Sequence, residues 1–445
     1  MIHIVRFTNN IHICFLKIKH RLYLLIANSI WWLCRWGEGY KFKLIRPISY
    51  DEKQVPNYKL PDLLLCSDGT KVGNVEQWEN KRRPELLSLF SEYVYGKVPE
   101  INGIVSWDIL CTHDKAISGK AIRRDVRVFP LPNHSEIYIN LQIYLPNVVV
   151  NTPFPVFLAI GLMPNYTVCN DLGVEVPDYI MVENGKTKKA VKRGYMSDFW
   201  QLDKILERGY GLATFCHQDL APDTFNGFRN GVPSLFYTPG MANPNPNDWG
   251  GISFWAWQMS RVMDYLCTDK DIDSHNIIAI GHSRLGKAAL WAAAQDQRFA
   301  IAISNNSGCG GAAISRRCFG ETIDAINQQF PQWFCGNFKQ FNNREEFLPI
   351  DQHELIALLA PRPVYIASAE EDRWSDPKGE FLGGREASPV YHLYGLDGLE
   401  YNDMPKAEHP INSGYIGYHI RRGKHTMTDY DWEQFLNFVD KHLNK

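Results

Sequence analysis

Residues Ile277 to Lys287 read Ile-Ile-Ala-Ile-Gly-His-Ser-Arg-Leu-Gly-Lys, and this run limits the architecture more than any other. An apolar segment meets Gly281, then Ser283, then Gly286. Ala-Ala-Leu-Trp-Ala-Ala-Ala follows at 288–294, a strong helix former. The pattern predicts a strand, a sharp turn with serine at its apex, and a helix. Glycine is needed where the turn is tight and the backbones approach closely. A helix N-terminus beneath the serine favours the oxyanion that acyl transfer creates. The run departs from Gly-x-Ser-x-Gly, because Leu285 stands where the second glycine belongs and Gly286 follows one residue late. Taken alone it also fits a plain strand-to-helix turn.

A serine nucleophile requires a base, and the base an orienting acid. In α/β-hydrolases they follow in the order Ser, Asp or Glu, His. After Ser283, the apolar run Pro363 to Ser368 reads as a buried strand leading into Ala-Glu-Glu-Asp-Arg-Trp-Ser-Asp-Pro. Carboxylates at the C-terminal end of a parallel strand lie at the catalytic edge of such a sheet. The base candidate is His425, in Ile-Arg-Arg-Gly-Lys-His-Thr, before a final helix over 429–443. The fold class expected is therefore α/β: a three-layer α/β-hydrolase sandwich with a mostly parallel, twisted central sheet. Ala121 to Pro130 and Ile137 to Pro146 alternate like antiparallel edge strands. Pro155 to Ile160 and Gly209 to Cys216 read as central strands. Pro84 to Tyr95 reads as an amphipathic helix stopped by Gly96, Asn226 to Asn247 as a surface loop, and Trp249 to Leu266 as a helix feeding the elbow strand.

Composition excludes several classes. With 445 residues, 45% hydrophobic and 22% charged, the chain reads as globular. A net charge of −2 argues against a nucleic-acid partner. No cysteine pair has Cys-x-x-Cys spacing, which speaks against a zinc or redox motif. Cys216 and Cys267 lie in apolar stretches and read as buried thiols; a disulfide between Cys309 and Cys318 stays open. Residues 1–48 form a distinct segment, with Lys17, Lys19 and Arg21 before an apolar run from Leu22 to Cys34. That run is short for a membrane span, and no stable membrane partner is expected. It resembles the positive and apolar parts of a signal peptide, although no small-residue cleavage site follows. A signal anchor or an extension outside the mature protein are the alternatives. The expectation is a secreted or periplasmic monomer, with residues 49–445 as one catalytic domain.

Several motifs together resemble one family. They are Trp-Gly-Gly-Ile-Ser-Phe-Trp-Ala-Trp at 249–257, Gly-His-Ser-Arg-Leu-Gly-Lys at 281–287, Ser-Gly-Cys-Gly-Gly-Ala-Ala-Ile-Ser-Arg-Arg at 307–317 and Phe-Gly-Glu-Thr at 319–322. Glu-Asp-Arg-Trp-Ser-Asp-Pro at 371–377 and Gly-Tyr-His-Ile-Arg-Arg-Gly-Lys-His at 417–425 complete them. From about Tyr50 onward the chain resembles the glucuronoyl esterases, a carbohydrate esterase family. The resemblance implies hydrolysis of the ester between 4-O-methyl-glucuronic acid on glucuronoxylan and lignin alcohols, with no metal or other cofactor. It implies Ser283 as nucleophile and His425 as general base. It implies the Arg284 backbone N–H in the oxyanion hole, with the guanidinium adding charge there. Lys287, one helical turn on, would reach sugar hydroxyls, and Glu321 and Trp374 would hold the uronate ring. An ordinary ion pair remains open for Lys287 and Glu321, and core packing for Trp374.

The chain departs from this family twice. Some relatives place a glutamate where Asn306 stands, and asparagine brings no charge to an imidazolium. The acid is therefore assigned to Asp372, with Glu371 and Asp376 as rivals, the latter as a turn cap before Pro377. Relatives also differ from Gly-Leu-Met-Pro-Asn-Tyr at 161–166, a loop expected near the oxyanion hole. His217 and His282 read as structural. Two further readings stay open: an α/β-hydrolase acting on another ester, such as acetylated xylan, and a non-catalytic carbohydrate-binding protein of the same fold.

Overall fold

The alternation of apolar residues along the strands sets the layers. The computed structural model describes residues 47–443, apart from 102, 150–151, 182–186 and 239–243. The reading of residues 1–46 as an extension or signal lies outside the described residues. In chain order the strands are β1 (Ser106–Ala116), β2 (Ala121–Phe129), β3 (Ile139–Pro146), β4 (Phe154–Gly161), β5 (Tyr179–Met181), β6 (Thr187–Lys189), β7 (Gly211–Cys216), β8 (Ile272–His282), β9 (Ile301–Asn305), β10 (Val364–Ala369) and β11 (Ile416–Arg421). Nine of them form one sheet in the order β1-β2-β3-β7-β4-β8-β9-β10-β11, and β5 pairs with β6 as a separate hairpin. From β7 to β11 every pairing is parallel, whereas β1, β2 and β3 add antiparallel at one side.

Each central strand feeds both faces, as a sheet covered by helices requires. Ile277 and Ala279 of β8 pack into one core with Leu285, Leu290 and Trp291 of the elbow helix and with the helix Gly251–Leu266. Ile278 and Ile280 pack into the other, against Ile205, Trp432, Phe435 and Leu436. Three layers with a mostly parallel middle layer result, the class expected from the sequence. The elbow helix is anchored by the fully buried Trp291; truncating such an indole typically costs about 3–5 kcal/mol.

Three local expectations need correction. The helix expected over 84–95 is α-helical only over Arg83–Phe90, with wider π turns on both sides, and it does stop at Gly96. There φ is +85° and a Cβ would lie 2.2 Å from the Asp248 carbonyl oxygen, so only glycine fits. The expected surface loop at 226–247 contains the helix Phe225–Asn230 and a 3₁₀ turn, Val232–Phe236. Thr224 caps that helix through Gly227 N–H at 2.7 Å, and Phe228 and Val232 are buried. The Gly, Pro and Asn residues mark the ends of short elements there. Cys267 is exposed rather than buried, because it follows the last turn of the helix Gly251–Leu266. Cys309 and Cys318 are not joined to each other by a disulfide. Strand β1 escaped the sequence reading because most of its side chains are exposed and polar, as at a sheet edge.

Candidate active site

The elbow forms where β8 gives way to the helix Arg284–Gln295. Ser283 takes φ 59° and ψ −127°, a conformation that costs a non-glycine residue energy and lifts its side chain above the sheet edge. Gly281 permits it: a Cβ there would meet the Leu285 carbonyl oxygen at 2.0 Å. The absent second glycine is explained by the helix face. Leu285 points into the core, whereas Gly286 faces β9, where a Cβ would lie 3.2 Å from Ser304 Oγ. Close approach is therefore needed one residue later than the usual motif places it. Ser283 occupies the N-cap position without spending its side chain on a capping bond, and it is half-buried between the buried His282 and Arg284.

The candidate acid and the candidate base meet where the chain leaves β10 and β11. His425 Nδ1 lies 2.6 Å from Asp372 Oδ2. Asp372 Oδ2 also accepts from Asn306 Nδ2 at 2.8 Å. Burial pushes the Asp372 carboxyl up, but the His425 bond and charge, with Ser375 and Asn306, outweigh it and hold it below the usual carboxylate range. Asp372 is thus ionised at neutral pH and fixes the Nδ1–H tautomer, leaving Nε2 as the imidazole's acceptor. Asn306 reaches Asp372 rather than the imidazole. The two rivals are otherwise engaged or exposed. Asp376 caps the helix Pro377–Leu393 through Gly379 N–H and pairs with Arg317 Nε at 2.8 Å; Glu371 is exposed.

Buried charges that the sequence reading did not single out hold these parts. Asp431 on the C-terminal helix Asp429–Leu443 accepts from Arg421 Nε at 2.6 Å, His419 Nε2 at 3.0 Å and Asn305 Nδ2 at 3.1 Å. Arg421 in turn donates to the carbonyls of Arg422 and Lys424, at 2.8 and 2.9 Å, and of Thr426, so it clamps the turn carrying His425. Asn305 Oδ1 accepts from His282 Nδ1 at 2.5 Å. The His282 ring lies 4.5 Å from that of His425, and burial, then the His425 charge, depress its pKa to about 3. His282 is therefore a neutral wall of the site as well as a core residue.

Glu380 lies behind Asp372. Its carboxyl accepts from Gly308 N at 2.9 Å and bonds Ser368 Oγ at 2.6 Å, and burial pushes its pKa up to about 8. A carboxyl whose folded pKa exceeds the unfolded value near 4.5 loses its stabilising share as pH rises from there through 8. Glu380→Gln keeps the acceptor for Gly308 and sets an amide NH₂ against Ser368 Oγ, whose hydroxyl turns to accept. The variant is expected to show a flatter dependence of melting temperature on pH between 6 and 9 than the parent. Equal slopes in thermal scans would refute the neutral form.

The other expected residues gather at the same strand ends. Lys287 Nζ donates to the Ser307 carbonyl at 2.6 Å and lies 3.7 Å from Glu321 Oε2. Glu321 N–H donates to the Trp374 carbonyl at 2.9 Å, and Trp374 is half-buried rather than a core residue. Gly320 permits this junction: with φ +60°, a Cβ would lie 2.5 Å from the Arg373 carbonyl oxygen. Arg284 follows Ser283 at the helix start, where peptide N–H groups point along the axis. Its guanidinium is held by Asp223 at 2.6 Å and lies 4.4 Å from the Trp333 ring centre, so its charge is partly offset rather than simply added to the site. Asp223 also accepts from Trp333 Nε1 and Gln332 Nε2, both at 2.9 Å. His217 sits beside it, its Nδ1 3.0 Å from the Gly161 carbonyl oxygen. Tyr50 lies at the rim, 5.3 Å under the Arg373 guanidinium. A separate groove, lined by Ser274, Ile301, Pro363 and His442, opens at the starts of β9 and β10, the end of the sheet opposite Ser283.

This geometry can be set beside known proteins. The family model "Glucuronyl esterase, fungi" matches residues 201–395. Carbohydrate esterase MZ0003, from an unknown prokaryotic organism, is 44% identical over 89% of this chain and 93% of its own. The 4-O-methyl-glucuronoyl methylesterase 1 of Wolfiporia cocos is 27% identical over 77% of this chain and 74% of its own. Among solved structures, a glucuronoyl esterase from Solibacter usitatus superposes with a TM-score of 0.83 at 44% identity, covering 88% of this chain and 99% of that one. A structure described as a promiscuous CE15 esterase from the marine bacterial metagenome gives 0.82 at 44% identity, over 89% and 100%. The chain belongs to the glucuronoyl esterases of carbohydrate esterase family 15, and its activity is the hydrolysis of carboxylic esters.

Proposed function

We propose that this chain hydrolyses esters of 4-O-methyl-glucuronic acid, as in lignin–xylan cross-links, with Ser283, His425 and Asp372 as its triad. The observation that carries this reading is the 2.6 Å contact between His425 and Asp372 at the strand edge where the elbow presents Ser283. His425 Nε2 takes the Ser283 proton as Oγ attacks the uronoyl carbonyl. The oxyanion faces the N-terminus of the elbow helix, with the Arg284 backbone N–H as donor and its guanidinium nearby. The alcohol leaves with the proton from His425. Water, activated by the same imidazole, then releases the free uronate.

Lys287, Glu321 and Trp374 hold the sugar ring in this reading. Lys287 donates and Glu321 accepts from hydroxyls, and the half-buried indole supplies an apolar face. No metal takes part. Polymeric xylan is met outside the cytoplasm, so the enzyme is exported. Among the described residues, no helix is long and apolar enough to cross a membrane.

A second ester class is favoured by one relative, described as a promiscuous CE15 esterase. The test is a comparison of kcat/KM on a methyl glucuronate ester and on an acetyl ester. The uronate ester is expected to be preferred at least tenfold. Glu321→Gln should narrow that preference, because its contact is made with the sugar. A parent enzyme faster on the acetyl ester would overturn the substrate assignment.

A further inference from the structure

Strand β1 carries Cys111 and His113, two residues apart and so on one face of the strand. The register is shifted between Ile109 and Cys111: Ile109 pairs with Val126 of β2, but Cys111 pairs with Asp125. Leu110 is the extra residue of a β-bulge. Without it Leu110 would stand opposite Asp125, and the alternation would carry Cys111 and His113 to the other face. Bulges re-aim side chains in this way.

The result is one sulfur, one imidazole nitrogen and one carboxylate oxygen, all within 4.8 Å of one another. Cys111 Sγ already lies 3.0 Å from Asp125 Oδ2. Tetrahedral zinc with bonds of about 2.0–2.3 Å holds its ligand atoms roughly 3.3–3.8 Å apart, so rotation of the exposed His113 ring closes the set. Asp125 is oriented from behind. Its Oδ1 accepts from Gln142 Nε2 at 2.8 Å, and its Oδ2 from Arg123 Nε at 3.1 Å. Hydrogen bonds of this kind orient metal-ligating carboxylates. The Arg123 charge does not stand alone against a dication, because Asp171 lies 2.6 Å from its Nη1.

We propose that Cys111, His113 and Asp125 form a zinc site that staples the outer strand β1 to β2. A thiolate, an imidazole and a carboxylate suit Zn²⁺, with water as the fourth ligand. Binding converts the Cys111 thiol to thiolate and releases its proton to solvent. The site is remote from the chemistry: β2, β3, β7 and β4 lie between β1 and the elbow strand, which at about 4.8 Å per step sets them roughly 24 Å apart. The role is structural, at an edge strand whose outer backbone groups have no partner strand among the described residues. Spacing along the sequence conceals the site, since its third ligand sits on the neighbouring strand.

The test uses Co²⁺ as a spectroscopic substitute on the full, reduced chain. Titration is expected to produce a thiolate-to-cobalt charge-transfer band saturating near one ion per chain, reversed by added Zn²⁺. Cys111→Ala should lose the band. His113→Ala, at an exposed position, should weaken Co²⁺ binding at least tenfold. Esterase activity of both variants should equal that of the parent. Absence of the band, its persistence in Cys111→Ala, or unchanged affinity in His113→Ala would each overturn the site.

Discussion

Replacing Ser283 by alanine is expected to lower kcat on a methyl glucuronate ester by about 10⁴- to 10⁶-fold while leaving the fold intact. The size follows from the proposed mechanism, because alanine removes the oxygen that would form the acyl intermediate. The preserved fold follows from the structure. The Ser283 side chain makes no capping bond, and the turn is held by backbone contacts, Ser283 N–H to the Asn305 carbonyl at 2.8 Å and Gly286 N–H to the Ser283 carbonyl at 3.0 Å. Circular dichroism and thermal melting should match the parent. Retained turnover in a folded Ser283→Ala protein would remove the nucleophile assignment.

Asp372→Asn is the second large effect, a loss on the order of 10³- to 10⁴-fold in kcat. An amide in this position can turn its NH₂ toward His425, which then presents the wrong tautomer to the serine. It also removes the charge that stabilises the imidazolium. Asn306→Ala removes one hydrogen bond to Asp372 and leaves the carboxylate in place, so its loss should be smaller, about tenfold. Steady-state rates of the two variants at one pH decide the matter. A greater loss in Asn306→Ala would shift the orienting role to the end of β9.

The elbow was legible because its information is local: an apolar run, Gly281, Ser283 and a helix former lie within one stretch. The parallel sheet was legible for the same reason, since its buried strands are continuous apolar runs. The acid candidate was harder. Glu371, Asp372 and Asp376 share one turn, and only the folded chain separates them, by giving Asp376 to Arg317 and turning Glu371 to solvent. The supports were illegible in one dimension. Asp431 meets Asn305, and Asp223 meets Arg284 and Trp333, over long stretches of chain, and nothing in the local sequence marks these charges as buried. Strand β1 was missed because an exposed edge carries no apolar alternation, and the short helix Phe225–Asn230 because its flanking Gly, Pro and Asn residues read as loop.

The convergence of nucleophile and activated imidazole is the claim on which the esterase mechanism stands. A fluorophosphonate that reacts only with base-activated serines reads it without reference to any substrate. Intact-mass and peptide mapping should find one adduct per chain, on Ser283, and no adduct in a folded His425→Ala protein. A parent chain that stays unlabelled, or one labelled elsewhere than Ser283, would contradict the account.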